Sequence, residues 1–518
     1  MLQEVRTAQP MALPLGTPAQ FQSLKALLTE VDYTEAGICA RTRSKSISTF
    51  EHRVDLPLED ALSACILLFL HDDPVAQSFF TRVMPADAVD LMQALGLLQF
   101  DVARPDHFRA PLSIYPIRGF YLVSDQLFTV VGLNGRKIPE DVVYPALANT
   151  TCDFLDGMPE TDFSALLDLG TGTGIAALLA ARSGAGQVWA VDITERSSRM
   201  CEYNARLNGI DRVTVRTGDL YEPVNGLTFD RIVAHPPYVP EPETHLIYRD
   251  GGADGEQITR RIITGLPQYL RPGGSLYCRC LASDRKGAPL EQRIRAMLGP
   301  SHKEYDVVLA TNVGVSPAHF YLSDVVDGTV SFTSFEQYLK SFREVAVENL
   351  IIAFIHIYRH DRPQTPLTVR RTFTNRMYAS PSSIAWLVAW ERAGLNPEFS
   401  RQLVSARPTV SPYAKIQLTH QMRDGRLRAL VGSASTDYPF GFSTESSPGI
   451  VLLLGACDGS RTVAELHDEM KRVGVMPADG QIEDFLQLVN TLVSGAVLEL
   501  DSFKLPEQLT VEGRWPRL

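Results

Sequence analysis

Long apolar runs are missing from these 518 residues. The longest, such as Ala61–Leu70 and Ile450–Leu454, fall short of the roughly 20 residues that cross a bilayer as a helix. No membrane role is expected. The N-terminus carries Arg6 but not the apolar core of a secretory leader, so a cytoplasmic location is expected. Cysteine is scarce and odd in number, seven in all, with no CxxC pair and no Cys/His zinc spacing. Reduced thiols and no metal site follow from that usage. His356 and His360 lie four apart in an Ile-rich, strand-like run, and no Glu completes an HExxH pattern around them. Excess positive charge is missing as well: 49 Lys and Arg stand against 60 Asp and Glu, a net charge of −11. Proteins that grip duplex nucleic acid show a basic footprint, so a duplex partner is disfavoured, although a local patch is compatible with the balance. Arg370, Arg371 and Arg376 make one such small cluster, read as a solvated face. There is no internal repeat and no low-complexity tract.

What is present is ordinary globular composition, with 45% hydrophobic and 21% charged residues, in a chain long enough for several domains. Residues 1–18 read as a loose arm. The segments 58–70 and 87–100 space apolar residues three and four apart, the period of a helix, and Pro85 before Asp87 marks a helix start. Residues 108–125 then alternate like strands. Residues 1–115 are therefore read as a helical, winged-helix-like module. Residues 116–328 alternate strand and helix, which predicts an α/β domain with a mostly parallel, seven-stranded Rossmann-like sheet. That domain is expected to close with an antiparallel hairpin built from "YDVVLATNVG" and "AHFYLSDVV". Residues 329–440 read as an α+β accessory region without a trusted motif. Residues 441–518 have a helix–turn–helix rhythm and are read as a second winged-helix-like module.

The strongest local signal is "LLDLGTGTGIAAL" (166–178). A buried strand ends near Asp168; Gly170, Gly172 and Gly174 follow at alternate positions, and a helix starts at once. Such glycines let the backbone turn tightly and approach a ligand over a helix N-terminus. A dinucleotide fingerprint would place Gly or Ala at 175, where Ile175 stands. Asp168 is unsuited to a pyrophosphate but attractive to a cation, such as the methionine part of S-adenosylmethionine. Asp192 ends the next strand, where an acid accepts hydrogen bonds from ribose hydroxyls. Asp219 ends the third strand and can accept from an adenine amino group. A strand-end Asp often only caps a following helix, but three on successive strands point to a cofactor. Thr171, Ile193 and Leu220, beside these positions, complete the expected cofactor-binding set with His235.

"IVAHPPYVP" (232–240) closes the fourth strand. Two consecutive prolines stop a sheet ladder and fix a rigid loop at the carboxyl edge. Pro236, Pro237, Tyr238 and Arg249 are the expected substrate-binding residues, and His235 and Tyr238 the catalytic ones. Arg249 and Asp250 are candidate lid residues, and His245 a candidate substrate contact.

At this point residues 140–325 resemble the HemK-like release-factor glutamine methyltransferases, a class I S-adenosylmethionine-dependent family. The carriers are the Pro-Pro-Tyr corner, the "DGGADGE" stretch (250–256) and "PGGSLYC" (272–278). The resemblance implies S-adenosylmethionine as cofactor and an acceptor amide held by the first residue of the corner, the following Pro carbonyl and the aromatic ring. The family's usual Asn is His235 here. Imidazole can accept a hydrogen bond or a proton, which widens the acceptor to an oxygen or an amine. The leading expectation is methyl transfer to a protein or peptide side chain. The alternatives are a small-molecule N- or O-methyltransferase, a nucleic-acid adenine N-methyltransferase, and a protein that only holds the cofactor.

Overall fold

The computed structural model describes residues 13–49, 55–126, 138–159, 164–241, 245–326, 330–373 and 380–507. Among them the chain divides into two units: residues 13–155 with 164–278, and residues 156–159 with 279–507. No helix among the described residues is long and apolar enough to cross a membrane.

In the first unit five strands form a parallel sheet. In chain order they are β1 (Ala165–Leu169), β2 (Gln187–Asp192), β3 (Val213–Thr217), β4 (Phe229–Ala234) and β5 (Leu270–Arg285), which carries the chain across to the second unit. Their order is β5-β4-β1-β2-β3. The helices α1 (Ile175–Arg182), α2 (Glu195–Leu207) and α3 (Gln257–Tyr269) link them. β1 through β3 build outward to one side. The chain then returns to place β4 against the other side of β1. The carboxyl ends of β1 and β4 therefore flank the topological switch point, where open α/β sheets bind ligands. Leu169 is register partner to Ala234, so the glycine loop and the His-Pro-Pro-Tyr corner spring from paired residues.

The N-terminal part of the same unit contains helices Pro18–Glu30, Glu35–Thr42 and Ala61–Phe69, and a buried hairpin, Ser113–Ile117 with Phe120–Ser124. Thr17 and Asp60 close capping boxes on the first and third of these helices. The hairpin edge is satisfied by amides on α2 rather than by another strand. Asn204 accepts from Val123 N–H at 2.8 Å and donates to Val123 C=O at 2.9 Å. Asn208, one helical turn on, accepts from Tyr121 N–H at 3.1 Å and donates to Tyr121 C=O at 2.7 Å. Asn204 also donates to Thr173 C=O in the glycine loop at 2.9 Å. Each buried backbone group left without a partner costs about 1–3 kcal/mol. Asn204→Ala, which strands three, is expected to cost about 3 kcal/mol or more and to lower the first melting transition by several degrees in calorimetry.

In the second unit Tyr305–Thr311 pairs antiparallel with Val347–Arg359 and parallel with Thr368–Thr372. The expected antiparallel partner, residues 318–326, is helical instead: Pro317–Phe320 and Leu322–Val326. Ser316 caps the first of these through His319 N–H, and Pro317 occupies its first turn. The strand that takes its place is the Ile-rich run around His356. His360 ends that run against Asp306 at 2.9 Å. Arg370 and Arg371 are ion-paired, to Asp284 at 2.8 Å and to Glu391; Arg376 lies outside the described residues. Helices Gly449–Ala456, Val463–Arg472 and Ile482–Ser494 surround an apolar core with Trp390, Phe399 and Leu498.

A long hairpin, Lys415–Arg423 with Arg426–Thr436, also belongs to this unit. Asp424 (φ 51°) and Gly425 (φ 70°) form its turn, the mirror-image geometry that matches strand twist. Phe442–Ser446 pairs only with its base, residues 432–436. Beyond that the ribbon is two-stranded and its side chains are exposed.

Candidate functional site

Asp168, the penultimate residue of β1, is 2% exposed. Thr171 Oγ1 donates to its Oδ2 at 2.6 Å. Burial is the main cause that pushes this carboxyl from its ordinary 3.8 up to about 7, with the Asp192 charge adding to it and the Thr171 hydroxyl opposing. The loop then folds back on β2, as Gly170 and Thr171 N–H both donate to Val191 C=O. Gly170 (φ 72°) and Gly172 (φ 53°) lie in the left-handed region, and a Cβ built on either meets no protein atom within 4 Å. Both positions are open on their side-chain side. Gly174 differs: a Cβ there would lie 2.6 Å from the Cys201 sulfur, and the residue does not line the cavity. Its requirement is close packing of the loop on α2, not approach to a ligand.

Asp192 ends β2 and accepts from Gly172 N–H at 2.9 Å and Thr194 N–H at 3.1 Å. Burial raises its pKa against those donors. Asp219 follows β3 and is ion-paired with Arg261 of α3 at 2.7 Å. Arg261 has no motif of its own in the sequence. Its signal, a cation in the first turns of the helix after an expected ligand loop, is weak. Leu220 takes a left-handed φ of 50°, an uncommon conformation for a non-glycine residue and one that clusters at binding sites. Ile193 is 54% exposed while lining the same cavity.

At the end of β4, His235 lies in a column of rings. Tyr277 stacks on Phe154 at 5.3 Å, Phe154 on His235 at 5.2 Å, and His235 on Tyr238 at 5.6 Å. Phe154 and Tyr238 both stack on the imidazole, which fixes the plane of its ring beside the cavity described below. The next turn is held from behind by the "DGGADGE" segment. Val239 N–H donates to Arg249 C=O at 2.8 Å, and Gly251 N–H to Val239 C=O at 2.8 Å. A Cβ on Gly251 would lie 2.8 Å from Tyr238 Cα, and one on Gly255 2.6 Å from Tyr238 C=O. Those two positions accept only glycine because they press on the backbone of the corner. Buried Asp250 accepts from His245 N–H at 2.7 Å and Leu246 N–H at 2.8 Å, while Arg249 donates to its other oxygen at 2.8 Å. Asp250 thus organises the loop and anchors Arg249. His245 is exposed and does not line the cavity.

A single cavity of about 600 Å³ joins these parts. Asp168, Gly170, Thr171, Gly172, Asp192, Ile193, Asp219 and Leu220 line it together with His235, Pro236, Pro237, Tyr238 and Arg249. Tyr144 and Tyr248, stacked at 4.9 Å, also line it.

Comparison with known proteins gives the family. The methyltransferase small domain family matches residues 147–289. A ribosomal protein uL3 glutamine methyltransferase of Bradyrhizobium diazoefficiens is 30% identical over 267 residues, covering 49% of this chain and 80% of that protein. The chain belongs to the HemK-like family of class I S-adenosylmethionine-dependent methyltransferases. It is therefore an S-adenosylmethionine-dependent methyltransferase. Other HemK-like relatives match over shorter spans. A release factor glutamine methyltransferase of Xylella fastidiosa is 38% identical over 170 residues, 31% of this chain and 58% of that protein. A putative protein N5-glutamine methyltransferase of Methanocaldococcus jannaschii is 37% identical over 115 residues, 21% of this chain and 57% of that protein.

The open glycine positions and the buried carboxylate fit the cofactor. A cationic methionine moiety is the charge that an acid of raised pKa can hold. Gly170 and Gly172 leave room where any side chain would intrude.

Proposed function

We propose that this enzyme methylates a nitrogen or oxygen of a protein side chain presented to the His-Pro-Pro-Tyr corner. The observation that carries the reading is the single cavity shared by the glycine loop and that corner. The protein acceptor is supported by the relatives, which are named for glutamine methylation of a ribosomal protein and of release factors. S-adenosylmethionine, when bound, supplies a methyl group already activated on a sulfonium. The residues are left to align and desolvate, the main sources of rate in such a transfer. Asp168 would hold the cationic end through its carboxylate, and the open positions of Gly170 and Gly172 would leave it room. Asp192 would accept from the ribose hydroxyls, Asp219 from the adenine amino group, and Ile193 would pack on the base. Tyr238 and the Pro236 carbonyl orient the acceptor group. His235 takes the hydrogen bond, or the proton released as the new bond forms, on a ring nitrogen.

Two measurements test this. Labelled cofactor incubated with the enzyme and cell extract divided into protein, RNA and metabolite pools is expected to mark protein; label confined to another pool would refute the acceptor class. With the acceptor in hand, His235→Asn is expected to lower kcat about 100-fold, the lower end of what a positioned base contributes. Cofactor affinity should stay within about twofold, since Asn leaves the Asp168–Asp219 side untouched. Unchanged or faster turnover in that variant would remove the proton-accepting role.

A further inference from the structure

The hairpin of the second unit is divided cleanly by face. Side chains alternate along each strand, and the register pairs Lys415 with Ser435, Gln417 with Ser433, Thr419 with Val431, Gln421 with Arg428 and Arg423 with Arg426. On the two ribbon strands that face carries only cations and neutral residues, and the acid Glu445 of the third strand borders its base opposite Ser433. The other face carries Ile416, Leu418, His420, Met422 and Leu427. From 415 to 430 the ribbon has four basic residues and one acid, Asp424, at the turn, in a chain whose net charge is −11. The cationic end is also self-repulsive, because Arg423 and Arg426 sit directly opposite each other and Arg428 follows on the same face. Like charges directly across a ladder destabilise it. Lys415 is ion-paired with Asp437 at the base, so the excess charge concentrates at the tip.

We infer that the polar face of this ribbon is a binding surface for RNA, with Arg423, Arg426 and Arg428 on phosphates. A polyanion relieves the cross-strand repulsion that the free protein carries. Arginine presents a fork matched to phosphate oxygens. Gln417, Thr419 and Gln421 on the same face are the neutral hydrogen-bonding types that contact sugar and phosphate. The residues concerned are remote in sequence from the methyl-transfer cavity, so this surface stands or falls independently of the acceptor reading.

The test is titration of the full chain against a fluorescein-labelled oligouridylate and a labelled RNA duplex across salt. The comparison is the variant Arg423→Gln/Arg426→Gln/Arg428→Gln. Three phosphate contacts predict a log–log salt slope steeper than the variant's by about 2.1–2.7, or about 20- to 40-fold between roughly 50 and 200 mM salt. Cofactor affinity of the variant should equal that of the parent, showing the fold intact. RNA binding that is absent, or insensitive to the substitutions, overturns the inference. So does tighter, Arg-dependent binding to polyglutamate, which would assign the face to an acidic protein. Arg-dependent binding to phosphatidylserine vesicles with no RNA binding would assign it to a lipid surface and also overturns the inference.

Discussion

Replacing Asp168 by Asn is expected to make the protein more stable and nearly unable to bind its cofactor. The carboxyl titrates at about 7 when folded and near 3.8 when exposed. Between those values the unfolded chain releases a proton that the folded chain keeps, so stability falls as pH rises and the loss is complete above about 7. The gap corresponds to about 4 kcal/mol at most. Asn removes this titration but brings an amide NH₂ that needs a partner, which gives back about 1–3 kcal/mol. A net gain of about 1–3 kcal/mol is expected above neutrality, reversing to a net loss of about 1–3 kcal/mol near pH 4, where only the amide penalty remains, and it is read as a pH-dependent shift in melting temperature. Cofactor affinity should move the other way, by about 100-fold, because the only buried anion facing the cationic moiety on β1 is gone. In the parent enzyme, proton and cofactor compete for the same carboxylate. Affinity should weaken about tenfold per pH unit below about 7 and level off above it. A parent enzyme whose cofactor affinity ignored pH across that range would show that Asp168 does not meet the charge.

Gly251→Ala should separate turnover from cofactor binding. The new Cβ would lie 2.5 Å from Gly255 C=O and 2.8 Å from Tyr238 Cα, both backbone atoms that cannot swing aside. The corner must move by several tenths of an ångström or more. Misplacement of about 1 Å can cost about 100-fold in rate, so kcat should fall by that order. The affinity for S-adenosylmethionine, measured calorimetrically, should change by less than about threefold, because β1, β2 and their loops are not displaced. Parallel losses in both quantities would mean that the "DGGADGE" segment supports the whole cavity and not the acceptor corner alone.

The parts of the site that were legible in the sequence are those written in local order. Asp168, the glycines, Asp192, Asp219 and the Pro-Pro-Tyr corner each follow a strand within a few residues, so finding the strands finds them. The stacking of His235 on Phe154 joins residues 81 apart, and the ion pair of Asp219 with Arg261 joins residues 42 apart; neither has a local signature. Gly174 belonged to the glycine pattern but answers to the sulfur of Cys201. Two errors had signals that were present and outweighed. Residues 318–326 are rich in the aromatic and β-branched residues of a strand, yet Ser316-Pro317 is a helix start. The ribbon 415–436 went unread although Asp424-Gly425 between alternating residues is a strong short-range hairpin signature.

Asn204 and Asn208 give the N-terminal segment a claim on catalysis that its sequence does not advertise. The helix that presents them also carries Cys201 beneath Gly174 and ties down the carbonyl of Thr173. A chain begun after the Phe120–Ser124 strand would leave the amides of Asn204 and Asn208 without their backbone partners on Val123 and Tyr121, and would expose the apolar flank of the helix that braces the glycine turn. The motif-bearing third is thus not a portable cassette. Grafting it onto another carrier would require transplanting the hairpin as well, and homologues trimmed of it must brace that helix in some other way.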